Sequence, residues 1–168
     1  YTRSTDKFVP LDERAAIANR NHADLFISIH VNATKSSAAR GTETFVMGLD
    51  KSNSNMEVCQ LENSVLTLED GYNSKYSGFD PNNPESYIIF SLLQNAHLEQ
   101  SLIIAEAVQN ELKKGPITHN RGVKQAPFLV LWKCTMPSIL VELGFLSNPT
   151  DYKALTGKLD LRIRIAEG

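Results

Sequence analysis

Two strand-length runs, Phe128 to Trp132 and Ser138 to Leu143, carry apolar side chains at almost every successive position. Neighbouring residues of a strand face opposite sides of a sheet, so such runs need cover on both faces. Helices supply that cover in chains where helical and extended patterns alternate, and this chain alternates. A helix is expected from about Leu11 to His22, with Pro10 before it and Asp12 and Glu13 at its positive end. Leu11, Ala15, Ala18 and His22 form one stripe of that helix. A second helix runs from about Leu98 to Lys113 and stops at Lys113-Lys114-Gly115-Pro116, basic residues followed by glycine and proline. Two further strands read as Leu25 to Asn32 and Gly41 to Gly48. A helical pattern covers Ser86 to Leu93, a connector Ile117 to Pro127, and a terminal helical region opens at Asn148-Pro149-Thr150-Asp151. The pattern predicts one α/β domain over residues 1–168, three-layered α/β/α with a twisted, mostly parallel central sheet.

With 168 residues, 42% of them hydrophobic, the chain can bury a core without disulfide or metal staples. Its 17 basic and 19 acidic residues are spread along the sequence, which excludes the basic footprint of a nucleic-acid binder. No apolar run approaches the roughly 18 residues that cross a bilayer. The first residue is not a methionine, and Ala166-Glu167-Gly168 reads as helix interior. A longer precursor with its targeting segment elsewhere is therefore expected. Cys59 and Cys134 make no metal-ligand spacing; a single bridge and two free thiols both fit.

From Leu49 to Pro84 the composition turns to Asn and Ser. A short helix around Met56 to Leu66 and a loop-like stretch from Gly71 onward predict an excursion from the core.

Two residues break the apolar patterns. In the strand ending at Asn32, Leu25, Ile27, Ile29 and Val31 face one way, and Phe26, Ser28, His30 and Asn32 the other. His30 is either a hydrogen-bonded histidine or a metal ligand or acid–base group. Glu142 interrupts Ser138 to Leu143, and a buried carboxylate costs several kcal/mol unless paired, hydrogen-bonded or metal-bound. It is either a salt-bridge partner, with Arg121 as one candidate, or a general base whose proton affinity a partly apolar site raises.

Several blocks in order resemble one family. Thr2-Arg3-Ser4-Thr5-Asp6 with Leu11, Arg14, Ala18 and Asn19 is similar to the opening of the zinc-dependent N-acetylmuramoyl-L-alanine amidases. Ser28-Ile29-His30-Val31-Asn32, Arg40-Gly41-Thr42-Glu43-Thr44, Arg121-Gly122-Val123-Lys124-Gln125-Ala126, Phe128 with Val130-Leu131, and Met136-Pro137 through Asn148 match its later blocks. The resemblance implies that His30 is a zinc ligand and Glu142 the catalytic carboxylate. It also implies two more zinc ligands, a histidine and a glutamate, upstream of Tyr1, since His22, His97 and His119 lie in other contexts. Asn32 and Arg121 are candidates for substrate binding. The stretch from Leu49 to Pro84 resembles an inserted segment of the division-associated branch, in which a helix covers the zinc until a protein activator displaces it. Glu62 is the candidate carboxylate of that helix, with Glu57 and Glu69 as rivals.

The implied activity is hydrolysis of the bond between N-acetylmuramic acid and L-alanine in peptidoglycan. Its site is extracytoplasmic, periplasmic where the insert is a plug, with secretion or wall association as the alternative. The competing expectation from another class is a catalytically silent wall-binding or regulatory module of the same fold. A zinc carboxypeptidase of related α/β build fits the order of blocks less well.

Overall fold

A computed structural model describes residues 1–48, 52–76, 78–83, 85–87 and 97–167. The helical pattern expected at Ser86 to Leu93 falls largely outside these residues. Four strands form one sheet: β1 (Phe26–Asn32), β2 (Thr42–Met47), β3 (Asn120–Ala126) and β4 (Ser138–Phe145), in the order β1-β4-β2-β3. β1 and β4 run parallel, tied by Phe26 N to Pro137 O at one end and Leu146 N to Asn32 O at the other. β2 and β3 run parallel as well, through Thr42 N to His119 O and Gly48 N to Ala126 O. The central pair β2 and β4 is antiparallel, with Glu43 opposite Glu142 and Phe45 opposite Leu140. The sheet is mixed and mostly parallel, flanked by helices, as the alternating pattern predicts.

The residues group into two compact units. The first comprises Tyr1–Phe26, Met47–Leu98 and Gln125–Ser138, the second Ile27–Val46, Glu99–Lys124 and Ile139–Gly168. In the first, α1 (Leu11–Arg20) buries Leu11, Ala15 and Ala18, the expected stripe. It ends two residues earlier than expected, because His22 adopts a left-handed backbone (φ 49°) that ends the helix. α2 (Asn53–Asn63) and a 3₁₀ turn (Ser64–Leu68) occupy the place of the expected short helix. The stretch after it, which reads as loop, holds a short helix α3 (Tyr72–Lys75) and is pinned by aromatic burial. Tyr76, Phe79 and Tyr87 are each at most 2% exposed, and the Phe79 and Tyr87 rings meet edge to face at 4.9 Å. Cys59 and Cys134 are both free thiols.

The largest departure from the sequence pattern follows β2. Phe128 to Trp132 is not a strand: its apolar residues form the short buried helix α5 (Leu129–Trp132), numbered after α4 (Leu98–Leu112) of the second unit. The strand lies in the segment read as a connector, Asn120–Ala126. β3 is an edge strand, mostly half-exposed, so it carries no run of apolar residues to mark it.

In the second unit, α4 packs on β2 through a polar ladder. Gln109 Nε2 donates to Thr44 Oγ1 at 2.9 Å, and Thr42 Oγ1 meets Gln109 Oε1 at 3.3 Å. α6 (Pro149–Thr156) starts at Asn148, whose side chain accepts from the backbone N–H groups of Thr150 and Asp151. Asp151, 2% exposed, accepts from Gly41 N at 2.7 Å and Phe145 N at 3.0 Å, joining the start of β2 to the end of β4. α7 (Leu159–Glu167) follows. Ile27, Ile29 and Val31 of β1 line an apolar groove of about 630 Å³ with Val141, Leu143 and residues of α4, α6 and α7. Ile27 and Ile29 remain 47% and 68% exposed.

Candidate metal and catalytic site

The opposite face of the second unit's sheet carries the polar residues. Alternation along β1 puts Ser28, His30 and Asn32 on one side, and the direct pairing of β2 with β4 puts Glu43 and Glu142 on one side of the sheet. His30 is half-buried near the C-terminal end of β1; Glu142 is fully buried in β4. A ring nitrogen of His30 and a carboxylate oxygen of Glu142 lie within 4.8 Å of each other. Parallel β1 and β4 bring the two residues, 112 positions apart in sequence, to the same level of adjacent strands.

An imidazole nitrogen and a carboxylate oxygen this close suit a divalent cation. Imidazole nitrogen and carboxylate oxygen are both donors that zinc takes. The donor chemistry fits zinc.

Around this pair, Asn32 and Arg121 converge on Glu43. Asn32, 2% exposed, donates Nδ2 to Glu43 Oε1 at 3.0 Å. Arg121 Nε donates to Glu43 Oε2 at 2.6 Å, and Lys124 Nζ to the same oxygen at 2.6 Å. Arg121 is therefore a partner of Glu43, its guanidinium also lying 5.0 Å from the Phe145 ring centroid. Glu43 and Lys124 are the residues that sequence reasoning did not single out. The available signal was a carboxylate flanked by two threonines inside a strand, ordinary for an exposed strand and informative only once β2 is known to be buried throughout.

In the first unit, the three carboxylates weighed for the insert separate. Glu69, 5% exposed, accepts from Leu11 N at 3.0 Å, Lys75 Nζ at 3.1 Å and the Tyr76 hydroxyl, and so holds the start of α1. Glu57 is exposed on α2, and Glu62 is half-buried on the same helix. His22 and His119 are exposed.

A family model described as N-acetylmuramoyl-L-alanine amidase (Amidase_3) matches residues 1–168. The amidase AmiA of Escherichia coli K12 is 32% identical over 168 residues, 98% of this chain and 56% of that protein. The chain thus spans about half the length of that relative. The crystal structure of an N-acetylmuramoyl-L-alanine amidase from Clostridium difficile 630 superposes with a TM-score of 0.64 at 24% identity, over 98% of this chain and 63% of that one. The CwlD amidase of Clostridioides difficile, solved in complex with the GerS lipoprotein, gives 0.58 at 26% identity, over 93% of this chain and 55% of that one. With the family model matching from the first residue to the last, the chain belongs to the Amidase_3 family of N-acetylmuramoyl-L-alanine amidases.

Proposed function

We propose that the protein hydrolyses the amide between N-acetylmuramic acid and L-alanine in peptidoglycan, as a zinc enzyme of cell-wall remodelling or daughter-cell separation. The reading rests on the approach of His30 and Glu142 to within 4.8 Å inside a chain that matches the family throughout. Residues 1–168 form a single catalytic domain in this reading, with residues 49–84 as a regulatory insert. His30 holds the metal, together with a histidine and a glutamate from outside this sequence. When bound, zinc supplies Lewis-acid polarisation of the scissile carbonyl and acidifies a water. Glu142, buried on the sheet, would accept a proton from the water whose oxygen attacks the carbonyl carbon. It would then deliver that proton to the departing nitrogen as the C–N bond breaks, leaving the amine of L-alanine and, on the sugar's lactyl group, a carboxylic acid that ionises to solvent.

Glu62, on α2, supplies the carboxylate that covers the metal at rest in this reading. A protein activator releases it; the CwlD relative, solved with a lipoprotein, is an amidase with a protein partner. Action on the wall places the protein outside the cytoplasm, in the periplasm. No helix among the described residues is long and apolar enough to cross a membrane.

Incubating the full-length protein with purified sacculi tests the reaction. Free alanine amines should appear without new reducing ends, stop on chelation and return with added zinc. Reducing ends without amines, or amine release indifferent to chelation, would overturn it.

A further inference from the structure

An ionic cluster in the second unit surrounds Glu43, where two cations meet one carboxylate. A carboxylate 1% exposed needs a partner, and one cation is enough to neutralise it. Glu43 has two, Arg121 Nε and Lys124 Nζ, both at 2.6 Å from the same oxygen, with Asn32 on the other oxygen. Taken without Glu142 on the opposed strand, the trio carries one positive charge in excess. That charge is reachable, because the side chains of Arg121 and Lys124 keep 28% and 19% of their exposure while Glu43 has almost none.

Register fixes where the excess charge lies. Glu43 is directly opposite Glu142 on the neighbouring strand, and directly opposed residues share a face. Two opposed carboxylates repel unless one is neutralised, which gives Arg121 and Lys124 a structural reason to be there. It also puts them beside the proposed reaction centre. Their geometry is held from several sides. The Arg121 guanidinium lies over Phe145 and the Lys124 ammonium 5.7 Å from the Phe45 centroid. Gly122 between them takes φ +81°, with its N–H on Asn120 Oδ1 at 2.6 Å. The bond to Glu43 engages Arg121 through Nε, and the Nη side of the planar fork is the side that pairs with a second carboxylate.

We propose that Arg121 and Lys124, tethered by Glu43, form a carboxylate-binding subsite that recognises an acidic group on the peptide side of the scissile amide. The assignment rests on the hydrolase reading above, which supplies the peptide. In that substrate the sugar's own carboxyl is consumed in the amide, so an anion adjoining the cut belongs to the peptide. Glu43 and Asn32 are positioning residues in this account: Glu43 sets the two cations, and Asn32 sets Glu43.

The test uses the full-length, zinc-loaded protein and two muramoyl peptides that differ in one group, the side-chain or α-carboxyl nearest the alanine being free in one and amidated in the other. A charge-assisted hydrogen bond to an ion is worth roughly tenfold or more in binding. The native protein should favour the free acid by about that factor in kcat/KM, expressed mainly in KM. In Arg121→Gln and Lys124→Gln the ratio of the two kcat/KM values should fall toward one, and Arg121→Lys should restore part of it. Glu43→Gln should lower the ratio without releasing zinc. A native ratio of one overturns the subsite, and so does an Arg121→Gln or Lys124→Gln loss that is equal on both substrates. Failure of the native protein to release amine from either peptide instead removes the hydrolase reading on which the subsite rests. Binding of the free-acid peptide to Glu142→Gln, measured by calorimetry and weakened by added Arg121→Gln, reads the subsite independently of turnover. Equal affinity for acid and amide in that measurement overturns it.

Discussion

His30 and Glu142 were visible in the sequence because each is a polar residue where an apolar one is expected, and the polar side of β1 holds only one imidazole. Glu43 was not, because its meaning depends on partners 78 and 81 positions away and on the burial of β2. The two thiols show the same dependence on surroundings. Cys59 and Cys134 could equally be bridged or free on spacing alone, and the structure leaves both reduced. Burial pushes the Cys59 thiol far above its usual range. Burial also raises Cys134 from 9.0 to about 12, against a smaller opposing effect of the Ser138 hydroxyl. The native protein should therefore react slowly with iodoacetamide at pH 8 and rapidly once denatured. Both folded-state values are raised, so the folded chain keeps protons that the unfolded chain loses above 9.0. This contribution is intact below pH 9 and shrinks as pH rises toward 12. The urea midpoint should be lower at pH 10 than at pH 8; a higher midpoint would contradict the burial of these thiols.

At the scale of elements, strong local signals were read correctly and weak ones were not. α1 and α4 announce themselves by stripe, charge and stop residues, and α6 by Asn148-Pro149. Asn148 satisfies two otherwise orphaned N–H groups and donates to Ser37 O at 2.8 Å, so Asn148→Ala should cost about 1–2 kcal/mol, seen as a reduced urea midpoint. An unchanged midpoint would mean that solvent replaces the cap. β3 and α5 were exchanged in the sequence reading because a five-residue apolar run fits a buried strand and a buried helical turn equally, while a half-exposed edge strand has little pattern to detect. The Asn- and Ser-rich stretch after β2 is a mixture: α2 is legible from its pattern, but the aromatic pins Tyr76 and Phe79, with Tyr87 beyond its end, are scattered among polar residues. If α2 presents Glu62 to the metal, shifting a closed state from 99:1 to 1:99 requires ~5.5 kcal/mol of preference from the activator. Glu62→Ala, or deletion of residues 56–66, should raise basal amine release from sacculi in the full-length protein. Equal basal rates at equal zinc content would remove the plug.

For the whole chain, the alternation of helix and strand was enough to give an α/β class with a mostly parallel sheet. It could not give the antiparallel join of β2 and β4, because residue periodicity is the same for either strand direction. That join is what sets Glu43 against Glu142 and so shapes the candidate site. Nor does the sequence pattern give the exposure of Ile27 and Ile29, since alternation assigns residues to a face but not the cover on that face. The central claim is that Glu142 moves the proton while His30 holds the metal. The most direct measurement compares amine release and bound zinc in the full-length native protein, Glu142→Gln and His30→Ala. The account predicts that Glu142→Gln keeps its zinc and loses activity by about 10²-fold or more, whereas His30→Ala loses both. Zinc released from Glu142→Gln, or turnover undiminished in it, would contradict the account.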